Sequence, residues 1–279
     1  MKQGRLGRIL LWSSLLVLIA GVVWAAVTTI PNSALIPSTQ YYTDGLGGGI
    51  GSTVMAPNDD SSAGPINLGF TVNFFGTNYT QFFVNNNGNV TFGNGLSAYT
   101  PTGPQGATQP IISPYFADVD TRGAGQVYVR TDIPNEIIVT WDQVGYYSIH
   151  ADKLASFQLV LRGPNYNVPA GEGTVGFFYK AVQWETGDAS GGTGGFGGTP
   201  AAVGFGDGNS SGYVLAASLQ NGVSSVVTNH HIWFSLVNGV PQVGGGGSPT
   251  PAPTSLYLLA VGLIGLAGYR FFMMRRNQN

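Results

Sequence analysis

The sequence predicts an all-β protein: an antiparallel β-sandwich-like domain, flanked by an N-terminal signal helix and a C-terminal transmembrane helix. Three observations carry this. Between Tyr41 and Asn238, short β-prone runs are punctuated by Gly, Asn and Pro, with no sustained helical period. Glycine supplies 43 of 279 residues and charged residues only 9%, a mixture that suits strands joined by tight turns and starves helices of charged faces. Each end of the chain carries an apolar run with cations beside it.

The chain divides into a signal peptide over 1–26, a lead-in segment over 27–64, the β domain over 65–238, a Gly/Pro-rich spacer over 239–254, and a hydrophobic helix with a basic tail over 255–279. At the N-terminus, Lys2, Arg5 and Arg8 precede an apolar stretch that ends in small residues, the build of a secretory signal cut after Ala25 or Ala26. An uncleaved anchor is the alternative, and either way the cations stay inside and the chain beyond is exported.

Within the domain, "NLGFTVNFFG" alternates Leu68, Phe70, Val72 and Phe74 against Gly69, Thr71 and Asn73, a period of two that marks a half-buried strand. In "QFFVNNNGNVTFG", Asn87-Gly88 supplies the positive φ angles of a tight hairpin between Phe82–Val84 and Val90–Phe92. Further strands are expected near Tyr128, Ile138, Leu159, Phe178, Val203 and Phe234. Frequent short strands indicate a sandwich or a barrel-like pair of sheets. There is no repeat at a period of 20 to 50 residues, which excludes solenoids and propellers.

At the C-terminus, "VGGGGSPTPAP" reads as a spacer, and Leu256 to Met274 would form a helix of about 28 Å, close to a bilayer core of about 30 Å. Arg270 would snorkel, while Arg275 and Arg276 favour the cytoplasmic side. The segment Pro251, Ala252, Pro253, Thr254, Ser255, followed by a Leu/Gly-rich run and terminal arginines, resembles the PEP-CTERM sorting tail of bacteria. The resemblance implies an exosortase-type enzyme as a partner and membrane retention during export. Ala252 stands where that family has glutamate, which bears on recognition by the enzyme.

Charge and cysteine count narrow the function. Five cations and all thirteen acids lie between the two ends, a net of −8, so the middle should repel nucleic-acid phosphates. With no cysteine, disulfides and thiolate metal sites are excluded.

Several residue groups invite a chemical reading. Asp118 and Asp120 in "YFADVDTR" would share one face of a strand, where a Ca²⁺ ion, Arg122 or an Asx-type turn must relieve their repulsion. "DGNSSG" from Asp207 has the early spacing of an EF-hand loop, but Ser218 stands at the position of the bidentate glutamate, leaving a plain turn as the favoured reading. Glu185 and Asp188 form a conceivable acid pair for glycan hydrolysis, against the reading of a long Gly-rich surface loop. His230 and His231, being adjacent, face opposite sides and do not share a metal. Of Tyr146 and Tyr147 one should face outward, while Trp141 and Trp184 are candidates for the core. Asn78, Asn89 and Asn209 begin N-x-[ST] sequons, compatible with exposed loops.

Four blocks in order — "FFGTNYTQFFVNNNGNVTFG" from Phe74, "PIISPYFADVDTRGAGQVYVR" from Pro110, "DKLASFQLVL" from Asp152 and "VQWETGDASGGTGGFGGTPAAVGFGDG" from Val182 — resemble the nidogen-like (NIDO) domain of extracellular matrix and adhesion proteins. The resemblance implies an extracellular module associated with adhesion or matrix and no general catalytic activity; with the spacer and anchor, the expected function is a cell-surface structural or adhesion module that contacts extracellular polysaccharide or a surface protein. No cofactor is expected beyond the Ca²⁺ considered at Asp118 and Asp120. The alternative is an extracellular glycan hydrolase using Glu185 or the Asp118/Asp120 pair as acid and base.

Overall fold

A computed structural model describes residues 27–244. The expected signal peptide, the C-terminal helix with its basic flank, the Pro251–Ser255 motif and the spacer from residue 245 lie outside the described residues. Among those described, no helix is long and apolar enough to cross a membrane.

Sixteen strands and one short helix follow in order: β1 (Val27–Ile30), β2 (Ile36–Pro37), β3 (Ser52–Thr53), β4 (Ser62–Phe74), β5 (Thr77–Asn85), β6 (Asn89–Thr91), β7 (Pro110–Phe116), β8 (Val119–Asp120), β9 (Gln126–Arg130), β10 (Glu136–Tyr146), β11 (His150–Arg162), β12 (Val175–Val182), β13 (Ala202–Asp207), β14 (Gly212–Leu215), α1 (Val223–Val227), β15 (His230–Val237) and β16 (Val240–Val243). They form two sheets. One has the order β1-β14-β13-β7-β6-β5-β4. The other runs β16-β15-β12-β11-β10-β9-β3, with β2 beside β15 and β8 beside β10. All pairings are antiparallel except β1 with β14, which is parallel.

The sheets pack face to face through aromatic side chains. Phe205 of β13 stacks on Phe177 of β12 at 5.2 Å and meets Phe234 of β15 edge-on at 4.8 Å, while Tyr115 of β7 lies 5.4 Å from Phe157 of β11. Each such side chain, fully buried, contributes about 1.5–3 kcal/mol of transfer free energy. Buried hydroxyls tie the layers at the same points: Tyr115 donates to the Trp184 carbonyl at 2.7 Å and Tyr179 to the Pro114 carbonyl at 2.8 Å. The period-two pattern of β4 holds, with Leu68, Val72 and Phe74 buried and Gly69, Thr71 and Asn73 exposed.

The body starts earlier and ends later than expected. Residues 27–64, read as a lead-in, supply β1, β2 and β3, and Tyr42 packs on a second cluster of Ile138, Val160, Phe178 and Trp233. That cluster lies on strands whose neighbouring residues fill the main core, so the central strands of the larger sheet are buried on both faces. The spacer expected from residue 239 begins with a strand, because Val240–Val243 pairs with β15.

Candidate functional site

The site grows from the β5–β6 hairpin. Asn87-Gly88 makes the expected turn, with Gly88 at φ 74°, but the turn is buried. Its asparagines replace water for the surrounding backbone. Asn86 donates to the carbonyls of Asp59 and Val119, Asn87 accepts from the Val119 amide at 2.9 Å, and the carbonyls of Asn85 and Asn86 accept from the Trp141 indole at 3.2 and 3.1 Å. Trp141 is fully buried, as is Trp184, whose indole donates to the Val144 carbonyl at 3.0 Å. This hub draws the 58–61 loop and the β7–β8 connection to one corner of the sandwich.

Three carboxylates meet there. One oxygen from each of Asp59, Asp60 and Asp118 lies within 4.8 Å of the others. Asp60 accepts from Asn87 Nδ2 at 2.8 Å, and Asp59 Oδ2 accepts from Arg122 Nη2 at 2.9 Å. Asp59 Oδ1 and Asp118 Oδ2 are buried without hydrogen-bond partners. Asp118 is 1% exposed. Burial first, then the charges of Asp59, Asp60, Asp120 and Asp188, push its carboxyl up to about 7. Burial and the charges of Asp60 and Asp120 likewise push Asp59 up to about 6, against the pull of Arg122.

The pair expected from spacing, Asp118 with Asp120, is split. Asp120 accepts from Arg122 Nε at 2.8 Å, Arg122 Nη2 at 2.6 Å and the Ile149 amide at 2.9 Å. Burial raises its carboxyl, but the Arg122 hydrogen bonds outweigh that and hold it below the usual carboxylate range. Asp118 looks instead to the 58–61 loop. Local spacing does not tie Asp59 and Asp60 to Asp118; their signal in the sequence is two consecutive acids in a chain that has only thirteen.

The other candidates have structural duties. Glu185 is buried and binds the start of α1, accepting from the amides of Gly222 at 2.9 Å and Ser224 at 3.1 Å and from the Ser224 hydroxyl at 3.0 Å. Asp188 instead lies 2.8 Å from His150 Nε2. The segment expected as a surface loop therefore begins inside the body, with Trp184, Glu185 and Thr186 buried. Asp207 Oδ1 closes an Asx turn on the amides of Asn209 and Ser211, at 2.8 and 3.0 Å. His230 binds the Thr228 carbonyl, while His231 stacks on Phe178. Tyr146 is buried, and the half-buried Tyr147 is the outward member of its pair. Of the sequons, Asn89 is wholly buried and hydrogen-bonded to Asn85, so it is no exposed loop; Asn78 and Asn209 are exposed.

A two-sheet β module with a polar, acidic loop corner defines the class of protein. A family model described as NIDO related matches residues 35–244, and the chain belongs to that family. It is 33% identical to alpha-tectorin of Mus musculus over 180 residues, covering 54% of this chain and 8% of that protein; the figures for alpha-tectorin of Homo sapiens are the same. It is 25% identical to nidogen of Drosophila melanogaster over 168 residues, covering 47% of this chain and 12% of the relative. The chain thus matches a small part of each relative's length. No solved structure matches.

Proposed function

We propose that this chain is an exported structural or adhesion module of the extracellular matrix type, displayed at the cell surface and contacting polysaccharide or a surface protein. The observation that carries the reading is the NIDO-related match over 35–244, which takes in both sheets apart from β1, and the acidic corner. The chemistry agrees: Glu185 and Asp120 spend both carboxylate oxygens on the fold itself, and Asp207 Oδ1 closes a turn. The basic-then-apolar N-terminus supports export, and the C-terminal apolar run with its arginines supports retention at the membrane, with an exosortase-type enzyme as the sorting partner.

The loops around the acidic corner supply the contact surface. Ile149, whose amide holds Asp120, is 55% exposed; Tyr99, next to the Ala98 carbonyl that Asn87 binds, is 41% exposed; Phe196, in the same β12–β13 connection as Gly187, which backs Asp118, is 43% exposed. Exposed aromatic and aliphatic groups beside buried polar anchors suit contact with sugar rings or a protein face. The test compares attachment of cells producing the full chain with cells producing the Ile149→Ser, Phe196→Ser double variant. The reading predicts attachment lost in the variant at equal surface abundance; attachment that does not depend on the protein at all overturns it.

A further inference from the structure

We propose that Asp59, Asp60 and Asp118 form a Ca²⁺ site that clamps the 58–61 loop to the β7–β8 connection. Two ligands of one Ca²⁺ ion, each at 2.3–2.6 Å, lie at most about 5 Å apart. The three carboxylates meet that limit, with one oxygen from each inside 4.8 Å. Asp59 and Asp60 are consecutive, but Asp118 comes from a distant part of the chain, so its approach to them is a product of the fold.

A second observation points to a ligand. Asp118 is 1% exposed, and its Oδ2 is buried with no hydrogen-bond donor, as is Asp59 Oδ1. Buried carboxylate oxygens are ordinarily paired. The hydrogen bonds present hold the other members in place: Asn87 grips Asp60 by Oδ1, and Arg122 grips Asp59 by Oδ2. Arg122 does not balance the cluster, because it is shared with Asp120 through two further hydrogen bonds. Gly187 makes room for the arrangement, since a Cβ there would stand 2.5 Å from Asp118 Oδ2.

The donor set is oxygen only, which selects a hard cation. Ca²⁺ fits better than Mg²⁺: it accepts irregular oxygen sets and longer bonds, whereas Mg²⁺ demands near-octahedral geometry at about 2.0–2.1 Å and keeps its waters. Weak sites, with Kd of about 10⁻⁴–10⁻³ M, are typical of extracellular modules and suffice there.

The test uses the full chain in detergent, stripped with chelator and titrated with CaCl₂ by calorimetry, with thermal unfolding in parallel. The expected result is one Ca²⁺ per chain and a raised melting temperature, with Mg²⁺ weaker. Asp118→Asn removes a buried charge. It should melt at or above the stripped wild type, yet lose the Ca²⁺-induced rise and bind at least about tenfold more weakly. Asp60→Asn, at a less buried position, provides a second variant and should weaken binding likewise. Asp207→Asn, at the end of β13 and away from the cluster, should bind as wild type. No binding at millimolar CaCl₂, an equal effect of Mg²⁺, or wild-type affinity in Asp118→Asn and Asp60→Asn would overturn the assignment.

Discussion

Arg162 on β11 lies directly opposite Glu136 on β10, and its Nε donates to Glu136 Oε2 at 2.7 Å with both side chains fully buried. The same guanidinium donates to the Gly173 carbonyl at 2.9 Å and the Tyr42 hydroxyl at 2.6 Å, and lies 4.3 Å from the Trp233 ring centre. Removing one member of a buried pair strands the other charge, which typically costs about 3–5 kcal/mol. Arg162→Met should therefore lower unfolding stability by about that amount in urea titration. The Arg162→Met, Glu136→Met double variant should recover a large share of it, and equal losses in both would show that the pair itself contributes little.

Glu185 serves α1. Replacing its carboxylate by an amide keeps one acceptor oxygen and puts an NH₂ group toward the Gly222 and Ser224 amides. Glu185→Gln should cost about 1–3 kcal/mol by thermal or urea unfolding. Loss of a glycan-hydrolysing activity in this variant without loss of stability would speak instead for an acid–base role.

Two glycines with positive φ separate conformational cost from steric cost. At Gly171, φ is 88° and an added Cβ meets nothing within 4 Å, so Gly171→Ala should cost about 1–2 kcal/mol. At Gly88, φ is 74° and the Cβ would fall 1.8 Å from the Tyr115 carbonyl oxygen, a backbone atom that cannot step aside. Gly88→Ala should cost clearly more than Gly171→Ala; equal melting temperatures would mean the hairpin is not pinned against β7.

His231 gives a pH dependence. Burial lowers the pKa of its imidazole, with Glu172 pulling it up and His230 pushing it down. The folded state thus binds fewer protons than the unfolded chain, whose histidine titrates near about 6.5. The contribution of His231 is intact above that pH and is lost as pH falls through the depressed folded value. The stability difference between wild type and His231→Gln should shrink on acidification from pH 7; a difference that is flat or grows would contradict the burial.

What the sequence made legible was local. The Leu68, Phe70, Val72, Phe74 alternation and the Asn87-Gly88 turn specify strand and hairpin through backbone geometry, and both stand in the fold. What stayed hidden depends on partners far along the chain. Val27–Ile30 joins β14 in parallel, a pairing with no turn signal to announce it. Asp59 and Asp60 reach Asp118 through the docking of the 58–61 loop on the buried asparagine hub, which the spacing of Asp118 and Asp120 along the chain does not encode. Glu185 looked like half of an acid pair because the amides it binds lie 37 and 39 residues away.

The central claim is that the NIDO-related body sits outside the cell, where a matrix or surface partner can reach it. Protease added to intact cells tests this most directly, with the body followed by an antibody raised against residues 27–244. The account predicts digestion of the body while a cytosolic control survives. A body that stays whole while a known surface protein is digested would contradict it.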